Sequence, residues 1–176
     1  VKFNKTELEG AYVIELEKLA DERGFFARTW CQKELEAHNL AAQVAQANVS
    51  YNAKSGTLRG MHYQVSPYEE TKLIRCTRGA LYDVIVDLRT DSPTYKQWIG
   101  IELTADNYKM LYVPANFAHG FITLEDNTEA IYFVSEFYTP GAEKGLRWND
   151  PELDIKWPRK AEVISDKDAS WPDFTS

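Results

Sequence analysis

The sequence predicts an all-β chain folded as a cupin-like, double-stranded β-helix (jelly-roll) barrel with a few short helices. Three observations point there. Short segments rich in Val, Ile, Tyr and Phe recur along the chain, turn-forming residues separate them, and stretches with helical periodicity are scarce.

The strand candidates run in order. AYVIEL (11–16) opens the series, followed by TLRGMHYQ (57–64), TKLIRC (71–76) and ALYDVIVDL (80–88). QWIGIEL (97–103), KMLYVP (109–114), HGFITL (119–124) and EAIYFVSEFY (129–138) complete it. Arg78-Gly79, Thr90-Asp91-Ser92-Pro93 and Glu125-Asp126-Asn127 supply turns between them. Helix is expected over Gln32 to Asn39, and as a single turn over Ala105 to Lys109 capped by Thr104. The tail after Trp148, with Pro151, Pro158 and Pro172, reads as loop. A barrel of this kind holds a ligand in its mouth or interior.

Length and composition narrow the function. The 176 residues fit one domain, taken as 1–176, and 44% hydrophobic residues supply a core. A formal net charge of -7 speaks against a general nucleic-acid binder, which needs a basic surface. Cys31 and Cys76 stand in no CxxC or metal-ligand spacing, so reduced thiols in a cytoplasmic protein are expected. The N-terminal VKFNKTELEG lacks the apolar stretch of a signal peptide, and no apolar run approaches ~18 residues, so no membrane association is expected.

No GxGxxG, GxxxxGK[ST] or GxSxG occurs, so nucleotide-cofactor and serine-hydrolase chemistry are disfavoured. Barrels of this type often carry a metal on a His-x-His strand. Here that strand reads His62-Tyr63-Gln64, and a second site keeps only His119, so no metal is expected. His38, in a polar helix, reads as a solvated surface residue. His62 and His119, each beside a glycine and an aromatic residue, are candidates for a shared pocket. Strict alternation puts His62 on one face with Gly60 and Gln64, and Arg59 on the other with Met61 and Tyr63. Only a bulge or kink at Gly60 would bring Arg59 and His62 together. Arg23-Gly24-Phe25-Phe26 reads either as a charged hairpin turn or as an anion-binding Arg with an aromatic to stack on a base or sugar.

Taken together, these motifs resemble the dTDP-4-dehydrorhamnose 3,5-epimerases of deoxysugar and O-antigen biosynthesis. The resemblance runs through Asp21 to Phe26, Gln46 to Ser50, Leu58 to Gln64, Lys72-Leu73, Asp83 to Arg89 and Ser92 to Thr94. It continues through Val113-Pro114, Phe117 to Phe121, Tyr132, Tyr138, Trp148 to Pro151, Trp157-Pro158 and Ser165 to Asp168. It implies a homodimer that exchanges N-terminal strands, acts on a nucleoside-diphosphate 4-keto sugar, and uses neither metal nor cofactor. By position it makes His62 the general base, Asp168 its carboxylate partner, Lys72 the cation near the C4 oxygen and Tyr132 the acid on the opposite face. Arg23, Gln46, Asn48, Arg59, His119, Glu143 and Lys167 match positions that hold nucleotide, diphosphate or sugar, and Phe26 and Tyr138 match aromatics that flank the base.

The chemistry needs these types. A C–H beside a ketone is acidic because the carbanion spreads onto oxygen as an enolate, and His is a base suited to neutral pH. A buried carboxylate orients the imidazole, a fixed cation stabilises the enolate, and inversion needs a second proton donor. Three departures stand out: Arg28 where the family commonly has Glu, Glu70 where Gln is usual and Phe133 where Lys is usual. They leave the nucleotide open between dTDP and CDP, and the inverted centre open between C3, C5 and both. A keto-sugar nucleotide 3,4-isomerase and a non-catalytic sugar- or metal-binding cupin are the competing readings.

Overall fold

A computed structural model describes residues 1–174. Two six-stranded layers face each other, antiparallel except for one short parallel strand at the edge of the second. The first contains β1 (Lys2–Lys5), β2 (Tyr12–Glu15), β5 (Gln46–Asn52), β7 (Lys72–Arg78), β10 (Met110–Val113) and β12 (Thr128–Val134), in the spatial order β1-β2-β10-β7-β12-β5. The second contains β6 (Thr57–Gln64), β8 (Ala80–Asp87), β9 (Trp98–Thr104), β11 (Phe117–Thr123) and β13 (Glu143–Gly145), in the order β13-β6-β11-β8-β9. The short β14 (Val163–Ile164) runs parallel to β6 at its start. From β5 to β8, and again from β9 to β13, successive strands alternate between the layers, which is the jelly-roll architecture expected from the strand pattern.

The central strands are covered on both faces, which explains their continuous apolar runs. On β8, Leu81 and Ile85 point between the sheets into a core with Ile74, Leu103, Leu111 and Phe121. Val84 and Val86 point outward, where Leu146, Leu153 and Ile155 of the irregular C-terminal tail cover them. The tail that reads as loop is thus the outer layer of the second sheet. The first sheet is covered by Phe3, Trp30 and Leu35, packed on Ile14, Leu73 and Met110. Each such fully buried aliphatic contributes roughly 1.5–3 kcal/mol.

The helix expected over Gln32 to Asn39 is α1 (Gln32–Ala37); it ends before Asn39, which takes a left-handed φ of 58°. His38 is exposed, as expected, and stacks on Phe3. Thr104 caps a turn rather than a helix, its Oγ1 accepting from the Asn107 amide at 2.9 Å. The strand expected over 129–138 stops at Val134, and Phe137 and Tyr138 sit exposed in the loop that follows. β3 (Leu19–Asp21) and β4 (Gly24–Phe26) form a separate hairpin whose residues are all exposed. Among the described residues no helix is long and apolar enough to cross a membrane.

Candidate active site

One end of the space between the sheets is open. It is a cavity of about 580 Å³, within the range of small-molecule sites. From the first sheet, alternation sends Gln46, Asn48 and Ser50 of β5, Lys72 and Ile74 of β7, and Ala130, Tyr132 and Val134 of β12 into it. Register ties these together: Tyr132 stands opposite Asn48 on one side and Ile74 on the other, and Val134 opposite Gln46 and Lys72. The opposite wall carries His62 and Arg59 of β6 and His119 and Phe121 of β11.

Arg59 and His62 share this wall because β6 holds one extra residue there. His119 pairs with His62, but Phe121 pairs with Arg59, so two steps on β11 match three on β6. Gly60, at φ 123°, takes up the irregularity. The irregularity at Gly60, which the sequence left as the condition for Arg59 and His62 to meet, is present in the fold.

His62 Nε2 donates to Asp168 Oδ1 at 2.5 Å. Asp168 belongs to the short helix α2 (Asp166–Ala169), whose N-cap Ser165 accepts from the Asp168 amide through Oγ at 3.1 Å. The Gly60 amide donates to Asp168 Oδ2 at 3.2 Å. Burial pushes the Asp168 carboxyl up, but the His62 hydrogen bond and charge and the donors around it outweigh that and hold it below the ordinary carboxylate value. The carboxylate therefore stays ionised at neutral pH, which fixes the imidazole N–H on Nε2.

Lys72 and Tyr132 face the dyad from the other sheet. The Lys72 ammonium pairs with Glu70, and both side chains are nearly buried. The Tyr132 phenol is pushed up by burial, then by the negative charge of Glu70, with Arg59 acting against. Tyr132 is thus kept protonated, a requirement for an acid. His119 Nε2 donates to Asp83 Oδ1 at 2.6 Å, and Asp83 is fully buried.

The rim is polar. Arg59 Nε donates to Asn52 Oδ1 at 2.7 Å, and Asn52 is itself buried and bonded to the Thr128 carbonyl. Gln46 Oε1 accepts from the Tyr138 amide at 2.7 Å, which sets Tyr138 at the mouth. Glu143 lines the cavity and pairs with Lys167, which lies just outside it. Gln64, at the position a second metal ligand would take, spends its amide on the backbone of Tyr68, Phe137 and Thr139. Among the described residues no three His, Cys, Asp or Glu side chains gather as a metal site.

Of the thirteen candidate site residues, His62, Tyr132, Asp168, Lys72, Gln46, Asn48, Arg59, His119, Tyr138 and Glu143 line this cavity. Arg23 and Phe26 do not. They sit on the exposed β3–β4 hairpin, where Arg23 pairs with Asp21 and Phe26 is 67% exposed. Sequence reasoning missed Asn52, gave Asp83 no role beyond its place in the resemblance, read Phe121 only as the aromatic beside His119, and treated Glu70 only as a departure. No local pattern marks Asn52 or Asp83, because each acts through a partner distant in sequence.

Known proteins share both the sequence and the fold of this chain. A family model described as dTDP-4-dehydrorhamnose 3,5-epimerase matches residues 5–176. A dTDP-4-dehydrorhamnose 3,5-epimerase of Shigella flexneri is 41% identical over 171 residues, which is 97% of this chain and 94% of that protein. The crystal structure of a Bacillus anthracis dTDP-4-dehydrorhamnose 3,5-epimerase with TDP and pyrophosphate bound is 46% identical. It superposes with a TM-score of 0.94 over 98% of this chain and 99% of that one. A Legionella pneumophila epimerase in complex with dTDP-4-keto-L-rhamnose is 34% identical, with a TM-score of 0.91 over 98% and 92% of the two chains.

Proposed function

The chain belongs to the dTDP-4-dehydrorhamnose 3,5-epimerase family, and from that premise we propose how it inverts carbon centres beside the C4 ketone of a dTDP-linked 4-keto-6-deoxyhexose. His62 is the base. With its N–H committed to Asp168, the imidazole offers its other nitrogen to a C–H next to the ketone, and the ionised carboxylate stabilises the imidazolium that forms. The electron pair moves onto the C4 oxygen, where the Lys72 ammonium stabilises the enolate. Tyr132, kept protonated by burial, returns a proton from the opposite side of the ring. The ketone already present in the substrate acidifies the C–H, so the step consumes and releases no electrons.

The observation that carries this reading is that His62 and Tyr132 line one cavity from opposite sheets. A sugar ring between them presents one face to each, the arrangement inversion needs. Arg59, Asn48 and His119 hold the sugar and diphosphate, and Tyr138 at the mouth flanks the base. Arg23 and Phe26, on a hairpin clear of the chain's own cavity, serve the nucleotide end of a second copy's site in a homodimer. Residues 1–176 act as one domain, and the unpaired thiols of Cys31 and Cys76 suit a cytoplasmic enzyme.

The test is solvent exchange. In D₂O, a dTDP-linked 4-keto-6-deoxyhexose should gain deuterium at C3, C5 or both, read by mass and by NMR. Absence of label from dTDP- and CDP-linked substrates alike would refute the reading.

A further inference from the structure

We infer that Trp171 is a positioning residue for the base: its indole holds the Asp168 carboxylate, and through it the His62 imidazole, in the orientation proton abstraction requires. The inference rests on the reading of His62 as base. Trp171 does not line the cavity, so it acts from behind the dyad. Its indole Nε1 donates to Asp168 Oδ1 at 3.3 Å, the same oxygen that accepts from His62. Its ring meets the His62 imidazole edge-on, with centroids 6.2 Å apart and planes at 71°. A carboxylate only 5% exposed needs donors for its lone pairs, and the indole supplies one beside those of His62 and Gly60.

Gly145 makes room for the indole. It stands opposite His62 in the β6–β13 ladder, and a Cβ on it would lie 2.2–2.5 Å from three atoms of the Trp171 ring. The backbone on either side is fastened. Ser165 caps α2 before the indole; after it, the Arg147 amide donates to the Pro172 carbonyl at 2.9 Å and the Phe174 amide to Asp150 Oδ2 at 2.6 Å. An indole held at both flanks, in a slot only glycine leaves open, fixes two degrees of freedom of the dyad: the carboxylate's rotation and the edge against which the imidazole rests. The same donor adds to the groups that keep Asp168 ionised against its burial.

Two variants test this, Trp171→Phe, which keeps a ring and removes the donor, and Gly145→Ala, which keeps the donor and displaces the ring. Each is expected to lower kcat about tenfold while leaving KM within about twofold, because the hydrogen bond to the carboxylate is removed in the first and pulled out of line in the second, outside the substrate's reach. The imidazole ¹⁵N shifts of His62 should move in both. That readout needs no turnover, so it separates failure of this inference from failure of the epimerase reading, which would show as no exchange by the parent enzyme. Parental kcat with unmoved ¹⁵N shifts in Trp171→Phe would overturn the role, as would a rise in KM at constant kcat. If Trp171→Phe does not fold, parental kcat and shifts in Gly145→Ala overturn it alone.

Discussion

Gly60 and Gly120 lie back to back where β6 and β11 slip register: a Cβ on Gly60 would stand 2.5 Å from the Gly120 Cα and 2.8 Å from the His119 carbonyl. That contact lets one strand deliver both Arg59 and His62 to the cavity. Gly60 also has φ 123°, a conformation L side chains avoid. Gly60→Ala should therefore cost about 3 kcal/mol or more, since the obstacle is the backbone of β11 rather than a side chain that can move aside. Urea unfolding should show a lowered midpoint with an unchanged slope; an unaltered midpoint would mean the ladder can yield here.

Glu70→Gln tests the carboxylate beside Lys72. The negative charge of Glu70 adds to burial in raising the Tyr132 phenol, so removing it should lower the phenol's pKa. The protonated phenol is the active form. The alkaline limb of the kcat profile should accordingly move to lower pH, while the acid limb stays. A profile unchanged on the alkaline side would remove Tyr132, or its coupling to Glu70, from the mechanism.

Asp87 ties down the turn after β8. It is fully buried and accepts from Arg89 Nε at 2.9 Å, Arg89 Nη2 at 2.7 Å, Ser92 Oγ at 2.6 Å and Thr94 Oγ1 at 2.7 Å. Burial raises its pKa, but these donors prevail and the net direction is down from 3.8. A depressed carboxylate contributes stability that is present above its unfolded value and lost as pH falls through its folded value. Stability should thus decline below about pH 4. Asp87→Asn should lower stability at pH 7 by about 3 kcal/mol, by leaving Arg89 half-paired, and should flatten that acid decline. Chemical unfolding at pH 7 and pH 3 measures both effects.

The strands with apolar residues facing the core were legible in the sequence, because Val-, Ile-, Tyr- and Phe-rich segments between turn residues are local signals, whereas Gly60 marked only where a kink would have to lie if Arg59 and His62 were to meet. β5 was not recognised as a strand for a physical reason. It turns Gln46, Asn48 and Ser50 into a polar cavity and leaves Val49 and Tyr51 exposed, which inverts the usual pattern at the edge of a sheet. Which residues gather at the cavity was legible through family resemblance rather than periodicity. Nothing within β6 shows that its histidine meets a carboxylate 106 positions away. The tail's role as a covering layer was equally hidden, since Leu146, Leu153 and Ile155 are too widely spaced to read as an element. Arg23 and Phe26 fit the family pattern, but their place in this chain is an exposed hairpin away from the cavity, which nothing local in the sequence shows.

The account's central claim is that removal and return of the proton are divided between opposite walls, His62 on one and Tyr132 on the other. Tyr132→Phe incubated with a dTDP-linked 4-keto-6-deoxyhexose in D₂O tests it most directly, beside His62→Ala under the same conditions. The account predicts that Tyr132→Phe still exchanges hydrogen for deuterium beside the ketone but forms inverted product about a hundredfold more slowly, and that His62→Ala loses exchange and inversion together by a factor of about a thousand or more. Full exchange and inversion by His62→Ala, or equal loss of both in Tyr132→Phe, would contradict it.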